Sequence, residues 1–203
     1  MESIVEKTPI KNWSQIGMQE YLLVAYPSAE ISQKIIEEKK NLAGKYLEKD
    51  IIKTQPHITI ANFFARETME ETIIRYTQRV CSKQSAFSVE INNYSGLPPH
   101  TIFLRIQKPQ PFKQLASGLT VVSNYINGCS CPRVNLISNP RLPIASHLPE
   151  TMYLKAMMDY SQKTFHGIFM VNELVLLRRC HEYDPEKTIN VFPLQPLATT
   201  LYY

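Results

Sequence analysis

The amino-acid sequence lacks the long apolar run that a membrane-spanning helix needs. No stretch approaches the roughly 20 apolar residues that cross a bilayer. Residues 1–14 are also too polar and charged to form the hydrophobic segment of a secretory signal. We therefore expect a cytoplasmic protein without a membrane partner.

The sequence also lacks a continuous basic run. Its 22 Lys and Arg exceed its 18 Asp and Glu, which gives a net charge of +4, but the basic residues are spread through the chain. This spread gives no support to the wrapping of duplex DNA. It is compatible with a small anionic ligand or a short RNA end.

The few cysteines do not have the spacing of a disulfide framework. Cys129 and Cys131 are the only close pair among the four, and the only further metal ligand of similar spacing is His181 beside Cys180. A cytosolic chain keeps its thiols reduced. We interpret the close pair as loop thiols, with a zinc site as the alternative, and expect neither a metal nor a cofactor.

The length of 203 residues and the hydrophobic content of 44% fit one compact unit with a sizeable core. Residues 1–18 show little periodicity, and Trp13 is their only large apolar anchor. We predict that this N-terminal extension lies over the surface, that residues 19–203 form a single domain, and that the protein is a monomer.

The apolar periodicity predicts strands and helices that mix without strict alternation. Strands are predicted at residues 21–26, 51–64, 87–91, 101–106, 168–177 and 188–192 and near Pro140, with a turn-rich stretch at 92–99. Helices are predicted after Ser28 and at 67–83, 112–126 and 150–160. This order favours antiparallel sheets backed by helices over a doubly wound sheet.

A short motif occurs twice in the chain. Pro56–Ala61 reads PHITIA and Pro140–Ala145 reads PRLPIA, and each is soon followed by Glu-Thr-Met at the start of a predicted helix. Two copies of one strand-helix-strand unit explain the order and spacing of both matches. We therefore predict an α+β fold with two pseudo-symmetric lobes, each an antiparallel sheet with helices on its outer face, facing each other across a central cleft.

The first copy of the motif carries groups that suit phosphodiester chemistry. On a strand, His57 and Thr59 project to the same side. A neutral imidazole can take a proton from an attacking hydroxyl or water, and a threonine hydroxyl can donate to a phosphate oxygen. A lone His-x-Thr is weak evidence, because such a histidine is more often a packed or surface residue.

Four segments of the chain resemble the 2H phosphoesterase superfamily, specifically the bacterial 2′-5′ RNA ligase-like proteins and cyclic phosphodiesterases. They are residues 21–26, 53–63, 98–104 and 148–179. The resemblance implies two His-x-Thr or His-x-Ser motifs that line a cleft and act as general base and general acid on 2′,3′-cyclic phosphates or 2′-5′ linkages, without a metal. His57 and Thr59 match the first motif.

The second motif is degenerate, because Arg141-Leu142-Pro143 stands where the family has His-x-Thr. The guanidinium of Arg141 stays protonated at any working pH and cannot act as a general acid, although it can hold a phosphate. Pro143 has neither a hydroxyl nor an amide N–H. We leave open whether Arg141 binds phosphate or only solvates a vestigial cleft.

The other candidates are weaker. His147 could replace the missing acid, but a surface position at a helix start is the simpler interpretation. For His100 we favour a role at a turn or strand end. His166 and His181 are interpreted as surface residues. The rings of residues 63 and 64 could stack a base, although core packing is the better interpretation.

The sequence therefore predicts a protein that binds a phosphorylated nucleotide or RNA end, with weak or altered phosphodiesterase activity. His57 and Thr59 are the expected catalytic pair, and Arg141 is the expected substrate-binding residue. Two alternatives remain open: a non-catalytic nucleotide- or RNA-binding module on the same fold, and a structural or interaction role.

Overall fold

A computed structural model describes residues 17–46, 55–180 and 184–197. Three parts of the predictions lie outside the described residues: residues 1–16 of the predicted extension, residues 51–54 of the strand predicted at 51–64, and His181. The strands are β1 Met18–Ala25, β2 Ile58–Arg66, β3 Phe87–Leu97, β4 Thr101–Ile106, β5 Asn135–Leu136, β6 Arg141–Ala145, β7 His166–Val171, β8 Glu173–Arg179 and β9 Lys187–Pro193. The helices are α1 Ala29–Tyr46, α2 Glu70–Cys81, α3 Gln110–Gly118, α4 Thr120–Gly128 and α5 Glu150–Tyr160.

The strands form two sheets in which the paired strands are antiparallel. The five-stranded sheet has the order β5-β2-β1-β8-β9, and the four-stranded sheet has the order β6-β4-β3-β7. The prediction of two lobes with antiparallel sheets that face each other across a cleft is confirmed.

The two lobes repeat one unit. In the first, β1 pairs with β2 across the intervening α1, and α2 follows. In the second, β4 pairs with β6 across α3 and α4, and α5 follows. The two copies of the sequence motif lie at the equivalent strands β2 and β6, which approach each other to within 8 Å between Cα atoms.

The helices cover one face of each sheet and leave the other face for the cleft. Helices α1 and α5 pack on the four-stranded sheet, whereas α2 and α3 pack on the five-stranded sheet. One core cluster contains residues of both sheets and of the helices. Each lobe is therefore covered partly by helices of the other half of the chain, and the two halves share their core.

Helix α1 shows how the local sequence sets this packing. The amide N–H of Ile31 donates to the hydroxyl of Ser28 across 3.4 Å, so Ser28 provides the expected N-terminal cap. Ile31, Ile35 and Leu42 are buried at helical spacing on one face. Lys39 lies on the same buried face, a position that is unusual for a lysine.

Three predicted elements differ from the structure by more than a shift of their ends. The strand predicted at 168–177 is two strands, because the chain leaves the four-stranded sheet after β7, passes Asn172, and joins the five-stranded sheet as β8. The helix predicted at 112–126 is interrupted at Leu119, between α3 and α4. Strand β3 continues through most of the predicted turn, since a register shift and the positive φ of Asn93 (55°) accommodate the two asparagines.

No helix within the described residues has the length and apolar character needed to cross a membrane.

Candidate phosphate-binding cleft

A β-bulge in strand β2 sets which residues reach the cleft. Val24 of β1 pairs with Thr59, but Leu23 pairs with Ala61, so that Ile60 has no partner in this register. Ile60 and Ala61 are therefore both buried in the core. The strand changes phase after the bulge.

This change of phase places three polar residues on the same side of β2. His57, immediately before the strand, and Thr59 are partly exposed, whereas Ile58 between them is fully buried. Beyond the bulge, Asn62 takes the side that faces away from the core. The predicted alternation of His57 and Thr59 is present, and Asn62 extends the same polar row.

The imidazole of His57 is held in one tautomer. Its Nδ1 lies 3.0 Å from the backbone carbonyl oxygen of Gln55. Because a carbonyl oxygen can only accept a hydrogen bond, Nδ1 carries the proton in the neutral ring. The lone pair is then on Nε2, which is the atom that a general base uses.

Burial is the largest influence on this imidazole, and it lowers the pKa of His57 below its usual value. The charges of Lys39 and Arg179 lower the pKa further. The carboxylate of Glu186 and the carbonyl of Gln55 oppose the shift without reversing it. At neutral pH the ring is therefore uncharged and able to accept a proton.

The charged residues around His57 form a network on the same face of the five-stranded sheet. Arg179 donates from Nε to Glu20 across 2.6 Å, and its Nη1 lies 4.0 Å from a carboxylate oxygen of Glu186. Asn62 donates to the other carboxylate oxygen of Glu20 across 2.9 Å. These contacts fix the positive charge of Arg179 beside the histidine.

Two further side chains act on His57, Tyr26 through a ring contact and Lys39 through its charge. The ring of Tyr26 meets the imidazole edge to face, with 6.2 Å between ring centroids. Burial, followed by the charge of Glu186, raises the pKa of Tyr26, so its hydroxyl stays protonated at neutral pH. Lys39 is 5% exposed, and burial lowers its pKa to about 8.

On the second lobe, Arg141 begins strand β6 and projects away from the core. Arg141 and Pro143 are exposed, while Leu142 between them is fully buried. The guanidinium of Arg141 lies over the ring of Phe103, with 4.8 Å from Cζ to the ring centroid. Phe103 is a buried side chain that does not belong to the main core cluster.

The remaining candidates have other roles or no contact with this region. His147 is exposed and adopts a positive φ of 60° in the turn after β6, so it does not continue the strand. Nδ1 of His100 lies 2.8 Å from the carbonyl oxygen of Leu148, and the amide of Leu148 donates to the carbonyl of His100 across 3.0 Å. This double contact ties the turn before β4 to the segment before α5.

The two adjacent phenylalanines face opposite ways. The ring of Phe63 is buried and stacks on Tyr21, with centroids 5.4 Å apart. Phe64 is partly exposed on the other side of β2. The expectation of core packing holds for Phe63 only.

Cys131 does not belong to a metal site within the described part of the chain, where no group of three His, Cys, Asp or Glu side chains could hold a metal ion. Its sulfur lies 3.7 Å from that of Met69 and the same distance from the carbonyl oxygen of Cys129.

Two shallow surface cavities are not lined by His57. They have volumes of about 250 and 210 Å³ and adjoin each other between the end of α1 and helix α5. Both are lined by Lys45 and Tyr46. No histidine lines either cavity, so neither offers an imidazole for phosphate chemistry.

Sequence reasoning missed the charged residues around the imidazole: Lys39, Arg179, Glu186 and Glu20, together with Tyr26. Lys39 gave a usable signal, since a lysine among isoleucines and leucines at helical spacing marks a buried charge. The others are brought to His57 by the pairing of β1 with β2 and β8 and of β8 with β9, which the local pattern does not contain.

The fold is shared with several solved structures. E. coli LigT in complex with 3′-AMP matches with a TM-score of 0.60 and 14% identity, over 88% of this chain and 98% of LigT. A structure described as a phosphoesterase matches with a TM-score of 0.58 and 14% identity, over 87% and 98% of the two chains. A Thermus thermophilus protein matches with a TM-score of 0.54 and 14% identity, again over 87% and 98%.

The sequence itself defines the family. A sequence model of the 2′-5′ RNA ligase superfamily matches residues 27–181. The chain belongs to this superfamily, and thus to the 2H phosphoesterases, as the resemblance implied. No curated protein matches the sequence significantly.

Proposed function

We propose that the cleft binds a phosphorylated nucleotide or an RNA end between His57 and Thr59 on one lobe and Arg141 on the other. The observation that carries the proposal is the 3.0 Å contact between Nδ1 of His57 and the carbonyl oxygen of Gln55, which leaves Nε2 as the basic atom of the neutral ring. Burial also lowers the pKa of this ring. The neighbouring hydroxyl of Thr59 provides a donor for a phosphate oxygen. LigT, which has the same fold, has been crystallised with 3′-AMP and with ATP.

The proposed reaction is slow hydrolysis of a 2′,3′-cyclic phosphate or a 2′-5′ linkage. Nε2 of His57 takes a proton from water, the water oxygen forms a bond to phosphorus, and the bond from phosphorus to the ribose oxygen breaks. The departing oxygen then needs a proton. Arg141 cannot give one, so water supplies it, and the loss of an acid partner lowers the rate by roughly 10²- to 10⁴-fold.

The test of catalysis is hydrolysis of a 2′,3′-cyclic nucleotide by the purified protein, compared with its His57→Ala variant. The exposed His166 of β7 provides a matched control, as His166→Ala removes an imidazole from the far edge of the other sheet. We expect slow turnover that His57→Ala abolishes and His166→Ala preserves. Turnover that is unchanged by His57→Ala contradicts the catalytic role.

A second candidate is a binding module without turnover, and the exposed guanidinium at the position of the second histidine favours it. Arg141 is stacked and oriented, so it can hold a phosphate without taking part in proton transfer. Tight binding of a phosphate ester with no product, weakened by Arg141→Ala, would select this candidate. If neither phosphate esters nor RNA raise the melting temperature, a structural role replaces both.

A further inference from the structure

A second arginine lies beside Arg141 on the four-stranded sheet. Arg105 of β4 directly faces it in the antiparallel register. Facing residues of an antiparallel pair project to the same side of the sheet. Leu104 and Leu142, the next residues on the two strands, are fully buried, so both arginines point away from the core, and both are exposed.

The two positive charges face each other without a balancing carboxylate. Within the described residues, no Asp or Glu oxygen lies within 4.0 Å of a guanidinium nitrogen of Arg105 or Arg141. Like charges at directly facing positions destabilise a sheet. The same arrangement becomes favourable when an anion lies between the two side chains.

The ring of Phe103 sets the orientation of one partner. The centroid of this ring lies 4.8 Å from Cζ of Arg141, and the Phe103 side chain is 8% exposed. Stacking uses the flat face of a guanidinium and leaves its N–H groups directed outward in the plane. Arg141 is therefore held with its donors available, in a position beside Arg105.

We propose that Arg105 and Arg141 form a two-arginine clamp for a phosphate dianion, so that the cleft prefers a terminal phosphomonoester to a cyclic phosphodiester. A phosphomonoester has a second pKa of about 6 and carries about −1.5 to −2 charges at pH 7, whereas a cyclic diester carries only one. The two permanent cations of Arg105 and Arg141 match the charge of the phosphomonoester. The preference rests on the proposed function, because it requires a phosphate ester in the cleft, but it adds Arg105 and defines the ligand class.

The experiment compares three ligands by titration calorimetry at pH 7.5: adenosine 3′-monophosphate, adenosine 2′,3′-cyclic monophosphate and adenosine. The variants are Arg105→Gln, Arg105→Lys and the control Arg75→Gln. Arg75 is exposed on α2, and its guanidinium is also placed over an aromatic ring, 5.9 Å from that of Tyr76. The control thus removes a stacked arginine outside the cleft.

We expect the wild-type protein to bind the monophosphate more tightly than the cyclic ester. Arg105→Gln should weaken monophosphate binding by roughly 10-fold or more, the effect of one charge-assisted contact, and change cyclic ester binding less. Arg105→Lys should retain part of the preference, since it keeps the charge but loses the forked donors. Arg75→Gln should behave as wild type.

Two results overturn the clamp in different ways. If the wild type binds both esters equally, or if Arg105→Gln weakens both equally, the dianion preference is wrong while the proposed function stands. If the wild type binds neither ester, the proposed function is contradicted, and the clamp with it. Arg105→Gln relieves a like-charge contact, so the melting temperature of its free form should equal or exceed that of the wild type, and a large decrease would show instead that Arg105 supports the fold.

Discussion

His57 is tied to Gln55 by a contact of 3.0 Å between the imidazole Nδ1 and the backbone carbonyl oxygen. The contact is made to main chain two residues away, so it survives any side-chain substitution at position 55. It leaves Nε2 as the basic atom of the neutral ring. The protonation state of this ring then decides whether the first lobe can act as a base.

The first prediction concerns the pH dependence of turnover. The pKa of His57 is lowered from its usual value near 6.5, so the ring becomes protonated only at a pH below that value. Activity that requires the neutral ring should be complete at pH 7 and fall as the pH decreases through a pKa below 6.5. A rate profile of kcat/KM between pH 4.5 and 8 measures it. An acid limb centred above 6.5 contradicts the assignment.

A second prediction separates the charges that act on this imidazole. Lys39→Met removes a positive charge and should raise the pKa of His57, whereas Glu186→Gln removes a negative charge and should lower it. The Lys39 ammonium is charged in this range, because its own pKa of about 8 lies higher. Chemical shifts of the imidazole measured by NMR during a pH titration give both values. Shifts of the same sign in the two variants would reject this electrostatic account.

The lysine substitution has a second expected consequence, which is for stability. Burial of Lys39 in α1 lowers its pKa to about 8, so the charged form of this side chain costs stability in the folded protein at pH 7, and Lys39→Met removes that cost. We expect the free energy of unfolding of Lys39→Met at pH 7 to be unchanged or higher by about 1–2 kcal/mol. Urea denaturation measures it. A loss of several kcal/mol would show instead that a contact made by Lys39 stabilises the fold.

A third prediction concerns the hydroxyl next to the bulge. Thr59→Val keeps the shape and the strand preference of the side chain but removes its donor. Binding of a phosphate ester should weaken by about 0.5–1.5 kcal/mol, the net value of one hydrogen bond. Thr59→Ser keeps the hydroxyl and should bind almost as the wild type does. Equal binding by Thr59→Val and the wild type, measured by calorimetry, would remove Thr59 from the site.

A fourth prediction tests the packing of the second lobe. A Cβ atom at Gly96 would lie 2.9 Å from the sulfur of Met157 and still closer to the hydroxyl of Tyr153, so β3 and α5 pack tightly there. Gly96→Ala should destabilise the protein by about 1–3 kcal/mol. Gly44 lies inside α1, where an added Cβ would have nothing within 4 Å, and Gly44→Ala should instead stabilise by about 0.5–1 kcal/mol. Changes of the same sign in thermal denaturation contradict this comparison.

The sequence was sufficient for the elements with strong local signals. Helix α5 has the predicted bounds, and β4 does as well, because each has an unbroken period and a clear start. The equivalent positions of the two motif copies could be predicted, because each copy is followed by Glu-Thr-Met at nearly the same spacing. The break at Asn172 was not predictable from local pattern, since the apolar residues on both sides of it satisfy strand propensity in either sheet.

Only part of the site was accessible in the same way. His57 and Thr59 share a motif, and alternation along a strand was enough to place them together. The facing of Arg105 and Arg141 depends on the register between β4 and β6, and the position of Arg179 depends on the register between β1 and β8. A register between distant strands is set by the whole sheet and leaves no short pattern in the sequence.

The most direct test of the account is a crystal structure of the protein soaked with adenosine 3′-monophosphate. We predict that the phosphate lies in the cleft, with its oxygens within hydrogen-bonding distance of the His57 imidazole, the Thr59 hydroxyl and the Arg141 guanidinium. A phosphate bound instead in the cavities beside Lys45, or a cleft without ligand at a concentration that saturates binding in solution, contradicts the account.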